Sequence, residues 1–412
     1  MLLFILFFTI NTIITNTEGY KLETPKMTNA QFGFESKITK DFAFVAAPWF
    51  RSTVNDTLYS HGVIFVYKKS GNGKYTFLQK ILPPNPTISK SFGSDISVFE
   101  NDLIIGADME QFNPRGNLNG EQPGAVYTYR YNAKKGKWEL NNKIVSNKRY
   151  ANERFGDGVA IGKNFGVIST SNNMSKNDLL NILKKDAQGH WKIINTLDLS
   201  YNAMDELQIV DDQLAFIGTP QNDSTKSSIV FIATINNDGT LSNKKVIARK
   251  YVIGHHFADH GFKLTSNFCI VQSLYSTVSD DCPNKGMVYV YKRNIDGDWV
   301  QTDRKYAPHK SKCNWYGTNI SIHNSTVVIG AMGSNINKKG NDVPYMGAAY
   351  VYKLNTETGK MRLTNSIAGP DKPTWNKFGF SVDIYGNNVI VGSRLESYEN
   401  TRSAGGAYIY TL

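Results

Sequence analysis

The chain has 412 residues, 41% hydrophobic, 12% aromatic and 20% charged, a length that allows two or three domains. Its formal charge of +11 and pI near 9.2 favour anionic partners, but Lys and Arg are scattered, mostly in turns such as Lys134–Lys135–Gly136–Lys137. No block of like charge is present, which argues against a nucleic-acid-binding arm.

In chain order, the first element is the apolar run MLLFILFFTI, followed by the polar NTIITNTEG. A membrane span needs about 20 apolar residues, so this run fits a signal-peptide core better, although no Lys or Arg precedes it. Residues 1–19 are therefore read as a signal peptide, cleaved between Asn16 and Gly19, with a buried core strand as the competing reading. A secreted or cell-surface protein is expected, with no membrane insertion once the peptide is removed.

From Phe32 onward a short motif returns seven times. The copies are FGFESKITKDFAFVAA from Phe32, FGSDISVFENDLIIGA from Phe92, FGDGVAIGKNFGVIST from Phe155, a degenerate stretch from Asp205, HGFKLTSNFCIVQS from His260, YGTNISIHNSTVVIGA from Tyr316 and FGFSVDIYGNNVIVGS from Phe378. Each contains two apolar runs around a tight polar turn, which is a hairpin pattern. A third element with period-two alternation follows most of them: GVIFVYK, GAVYTYR, GMVYVYK, GAAYVYK and GAYIYTL. A fourth often carries Trp, as in GKWELNNKI, GHWKIINTL and GDWVQTDRK. Four-stranded units at this spacing imply propeller blades. Residues 20–412 thus read as one all-β, seven-bladed β-propeller with blades starting near 32, 92, 155, 205, 260, 316 and 378. The last blade lacks an outer strand, which residues 20–27 are expected to supply.

The pattern F-G-x-S-[VI] … [VI]-x-G-[AS] … G-A-x-Y-[VI]-Y resembles the FG-GAP repeat family, which includes the propeller at the head of integrin α subunits. That resemblance implies adhesion or extracellular recognition. Integrin-type blades often hold calcium in the first hairpin turn through a D-x-[DN]-x-D-G-like loop. The corresponding turns here, such as Glu100–Asn101–Asp102, Lys163–Asn164 and Gly386–Asn387, are too short to surround an ion that needs six to eight oxygens. No metal or other cofactor is expected. Asn237–Asp238–Gly239 and Asp296–Gly297–Asp298 read as ordinary later turns.

Long connections fall on one face of the disc, and they carry the candidate binding aromatics Trp49, Phe50, Tyr59, Phe112, Tyr275, Trp315, Tyr345, Trp375 and Tyr398, with Tyr201 beside them. Packing at blade junctions is the alternative for several of these. Of three cysteines, Cys269 reads as a buried strand residue, and Cys282 and Cys313, both in loops, are the candidate disulfide. Five sequons, at Asn55, Asn173, Asn222, Asn319 and Asn324, permit glycosylation without arguing for it. His255, His256, Asp259 and His260 have no recognisable ligand spacing, and His260 falls on the Phe of Phe-Gly. No catalytic motif appears. The leading expectation is a non-enzymatic module binding an extracellular protein or glycan, with no nucleic-acid partner. The alternatives are a polysaccharide hydrolase or lyase using Asp, Glu and His near the axis, and a structural coat or matrix component.

Overall fold

The computed structural model describes residues 19–24, 27–111, 122–147, 152–171, 178–199, 201–202, 206–220, 228–249, 257–274, 285–308, 314–334, 346–370, 375–397 and 401–412. Seven antiparallel sheets stand around one axis. Blade 2 shows their plan: inner strand Ile96–Phe99, then Asp102–Ala107, Ala125–Asn132 and outer strand Lys137–Ile144. First hairpins close in two or three residues, two at Glu100–Asn101, Asp211–Asp212, Asn324–Ser325 and Gly386–Asn387. Asp238 caps its own turn, accepting from the Thr240 amide at 2.9 Å and hydroxyl at 2.7 Å.

The N-terminal segment closes the ring as expected. Gly19–Lys21 is the outer strand of blade 7, pairing Tyr20 with Ile409. Leu22 behind it is buried, Tyr20 Oη accepts from the Tyr75 amide at 2.7 Å, and Lys21 pairs with Glu396 at 2.7 Å.

Alternating side chains pack each blade against both neighbours. Phe44, Ile64 and Val66 of blade 1 share one cluster with Phe92, Ile105 and Tyr127 of blade 2. Phe32, Phe92, Phe155, Tyr316 and Phe378 are fully buried wedge rings in these seams. Their glycines have φ of 89°, 92°, 95°, 92° and 84°, and the residue before each ring is also left-handed. In each case the amide two residues past the ring donates to the carbonyl just before it, as from Phe380 to Lys377 at 3.2 Å. This is the pattern of a type II turn, whose third position needs φ > 0 and hence Gly. Phe-Gly is therefore the turn that starts each blade.

The glycine opening each third strand lies against the next wedge ring, in the bridges Gly62–Phe92, Gly124–Phe155, Gly347–Phe378 and Gly405–Phe32. The last of these joins blade 7 to blade 1.

Blade 5 corrects one expectation. Phe257 pairs with Ser273, as Tyr316 pairs with Ala331 and Phe378 with Ser393, and its ring lies 5.6 Å from Tyr289. Phe257, not His260, is the wedge. Phe262 follows it by five positions where Ile320 follows Tyr316 by four, so one inserted residue displaces the Gly from the ring. In the same blade, Gly261 stands where blades 2 and 6 carry Asp95 and Asn319, and the Glu206 carboxyl lies against it.

These contacts predict a contrast between two glycines. A Cβ at Gly405 (φ +91°) would overlap the Phe32 carbonyl, whereas Gly136 (φ +64°) has open space around it. Gly136→Ala should cost about 1 kcal/mol and Gly405→Ala about 3 kcal/mol or more in chemical denaturation. Equal costs would contradict the seam.

Candidate functional site

Two places draw polar and aromatic side chains together: the axial channel and the long-loop face. The channel encloses about 740 Å³. Each inner strand is an edge, so every second N–H faces away from its only partner strand. Side chains of the preceding blade satisfy several of these donors. Asp95 accepts from the Val159 amide at 2.7 Å, Ser97 from Ile161 at 3.2 Å, Gln208 from Leu264 at 2.8 Å, Asn319 from Val382 at 3.1 Å and Asp383 from Ile38 at 2.8 Å. Gln208 also donates to the Leu264 carbonyl at 2.9 Å, and Ser321 donates to Asp383 at 2.5 Å. Counted from the wedge ring, Asp95 and Asn319 hold one position, and Ser97, Ser321 and Asp383 another.

Lysines replace the acceptor at this second position in blades 1 and 5, with carboxylates beside them. Lys37 pairs with Glu35, and Lys263 pairs with Glu206 at 2.7 Å. Burial favours neutral Lys37, but Glu35, Asp95, Asp383 and Glu206 together outweigh it and hold its ammonium well above the ordinary pKa. Burial pushes Asp95 up to about 7, aided by Glu35 and Glu206 and opposed by Lys37 and the Val159 amide. Carboxylates therefore converge on the axis, with no histidine among the described lining residues.

On the long-loop face, Trp375 is 64% exposed and Trp49 is 37% exposed. Tyr59, Tyr201 and Trp315 are half-buried. Phe50 belongs to the core: it stacks edge-on with Phe65 at 6.1 Å and His61 at 5.9 Å. Its place in the turn after strand two is that of Glu110, Ser334 and Glu396, which meet Tyr127, Tyr350 and Tyr408 at 2.6, 3.3 and 2.7 Å. Each answers the aromatic residue of its third strand. Phe112, Tyr275, Tyr345, Tyr398, Cys282, Cys313, Asn173, Asn222, His255 and His256 lie outside the described residues, as do the side chains of Asp259 and His260. Cys269 is buried in its strand with a free thiol, pushed well up by burial. Asn55 and Asn324 are exposed in turns, whereas Asn319 lines the axis with its side chain bonded, a poor place for a glycan.

The sequence reading missed a finger on this face. Arg51–Val54 and Thr57–Ser60 form a hairpin around Asn55–Asp56, both left-handed. Buried His61 holds its base, with Nδ1 2.7 Å from the Gly62 carbonyl and Nε2 2.7 Å from Ser52 Oγ. Burial lowers the pKa of this imidazole. Leu58 is 58% exposed on the finger. The PWF run at Pro48 gave no sign of which ring points inward.

The ring of seven four-stranded sheets defines a seven-bladed β-propeller. Residues 363–410, spanning most of the outer strand of blade 6 and the last three strands of the chain, match the FG-GAP repeat, which together with the seven blades fits the FG-GAP resemblance of the sequence. No curated protein sequence matches it. Among solved structures, a candidate 6-phosphogluconolactonase of Bacteroides fragilis is similar, with a TM-score of 0.51 and 9% identity over 82% of this chain and 84% of that one. At such identity the likeness is one of fold.

The Asp95 environment carries a pH signature. A carboxyl whose folded-state pKa is raised holds its proton better when native, so stability falls as pH rises from about 4 towards about 7. The thermal midpoint should decline between about pH 5 and pH 8, and Asp95→Asn should flatten that decline. An unchanged slope in the variant would contradict the assignment.

Proposed function

We propose that this chain is a secreted or cell-surface, non-enzymatic binding module that recognises an extracellular protein or glycan through the long-loop face. One contrast carries the reading. Trp375 and Trp49 stand exposed on that face, while the axial acids Asp95, Asp383, Glu35 and Glu206 are engaged in blade-to-blade bonds or ion pairs. Exposed Trp combines a large apolar area with a polar tip, the composition of binding hot spots. The apolar run at residues 1–10 supports secretion, and the first strand among the described residues begins at Gly19, where the expected cleavage zone ends.

One observation favours a second reading, hydrolysis or elimination on an extracellular polysaccharide. Asp95, held near neutrality in a cavity of about 740 Å³, has the pKa of a general acid. Under this reading Asp95→Asn would abolish turnover.

The test is binding of the purified chain to glycan arrays and intact cells, beside Trp49→Ala/Trp375→Ala and Asp95→Asn. The binding reading expects the double Trp variant, still folded by its melt, to lose about tenfold or more in affinity, and Asp95→Asn to bind as the wild type does. Undiminished binding by the Trp variant would overturn it.

A further inference from the structure

The repeat provides its own internal comparison. Asp108 of blade 2 lies two residues after Gly106 and two before Glu110, and Arg394 of blade 7 lies two after Gly392 and two before Glu396. Asp108 accepts from Ser91 at 2.6 Å and from Arg154 at 2.7 and 3.1 Å, so acid faces base between blades 2 and 3. Arg394 instead has Lys377 beside it, the residue that precedes the wedge ring as Ser91 does in blade 2. Leu395 N–H and Ser393 Oγ both bond the Asn376 carbonyl, at 3.3 and 3.0 Å, fixing the two segments side by side.

This pair of cations is half-buried and unneutralised. Burial lowers the pKa of Arg394, and burial together with the Arg394 charge lowers that of Lys377. Among the described residues neither has a carboxylate partner, and Arg394 Nε is buried without an acceptor. Glu396, close in sequence, is taken by Lys21 and Tyr408. Burying charge without a counter-charge is costly, so the arrangement is completed by an anion from outside.

The geometry narrows the class of anion. The Arg394 guanidinium carbon lies 3.9 Å from the Phe380 ring centroid and 5.5 Å from that of Phe34. Phe380 covers one face of the guanidinium, with Phe34 on the same side, and leaves its in-plane N–H groups for a planar oxyanion. Trp375, the most exposed tryptophan of the chain, lies two residues before Lys377. A rigid apolar ring face next to a carboxylate is what a uronic-acid-type pyranose presents, whereas an acidic peptide side chain carries its charge on a flexible stem.

We propose that Arg394 and Lys377, flanked by Phe34, Phe380 and Trp375, form an anion subsite on the long-loop face, and that its ligand is an acidic sugar residue. Its carboxylate lies in the Arg394 plane within reach of Lys377, and its apolar face stacks on Trp375. This rests on the reading of that face as the binding surface.

The test uses the full chain with hexagalacturonate, its methyl-esterified form, a sulfated hexasaccharide and a glutamate hexapeptide. Wild type, Arg394→Gln, Lys377→Gln and the double Trp variant are compared after their melts are matched. Hexagalacturonate should bind about tenfold or more tightly than its ester, more weakly in added salt, and each charge variant should lose about tenfold or more. Lys377→Gln leaves the guanidinium stack in place and so reads the charge if Arg394→Gln fails to fold. Equal binding of acid and ester, preference for the peptide, wild-type affinity in the charge variants, or no binding to either acidic saccharide overturns the proposal. Loss of cell or array binding in the Trp variant alone would keep the face and reject the subsite. Acid binding that survives the Trp variant and fails in the charge variants would keep the Arg394–Lys377 pair and reject both the Trp375 stack and the broader face.

Discussion

The inner strand of each blade has a neighbour on one side only, and the fold depends on what satisfies the other side. Unpaired strand edges template wrong pairing, and buried N–H groups without acceptors are destabilising. Radial closure hides these edges but does not supply acceptors. Here Asp95, Ser97, Gln208, Asn319 and Asp383 reach across to the following blade and supply them. Ser381 adds a bond to the Gly33 carbonyl at 3.0 Å across the closing seam. The ring is thus joined at its centre by side chains, in its seams by wedge rings, and at its rim by the Gly19–Lys21 strand.

Under the proposed binding reading, this division of labour separates stability from recognition. The carboxylates at the axis are bonded to backbone amides and neighbouring lysines. The opposite situation holds at the seam of blades 7 and 1, where Arg394 and Lys377 share a half-buried corner with no acid paired to them among the described residues. A scaffold that neutralises its interior and leaves a cationic, aromatic corner on the face with the longer loops is suited to holding a ligand there.

Much of the fold was legible because it depends on period and residue type. Phe-Gly announces a turn whose third position excludes side chains, and a missing outer strand in blade 7 implied a donor from the N-terminus. In blade 5 one inserted residue moves Gly261 away from its ring, so in the sequence His260 rather than Phe257 precedes the glycine. Phe50 and Trp49 are adjacent aromatics, and only the turn after strand two decides which meets Phe65. That turn takes Phe50, Glu110, Ser334 or Glu396, four side chains with no shared sequence signal. The axial bonds were visible only as polar letters alternating with Ile and Val. Their partners lie a whole blade away, and the lack of an acceptor for Arg394 Nε among the described residues is no more visible in the sequence.

The central claim is that axial side chains cap the inner-edge amides, and native-state hydrogen exchange tests it most directly. The Ile38, Val159, Leu264 and Val382 amides should exchange only with global unfolding, and Asp383→Ala should release Ile38 while Val159 stays protected. Rapid exchange of these four amides in the wild type, at rates typical of exposed turns, would show that the axis is not what holds the ring.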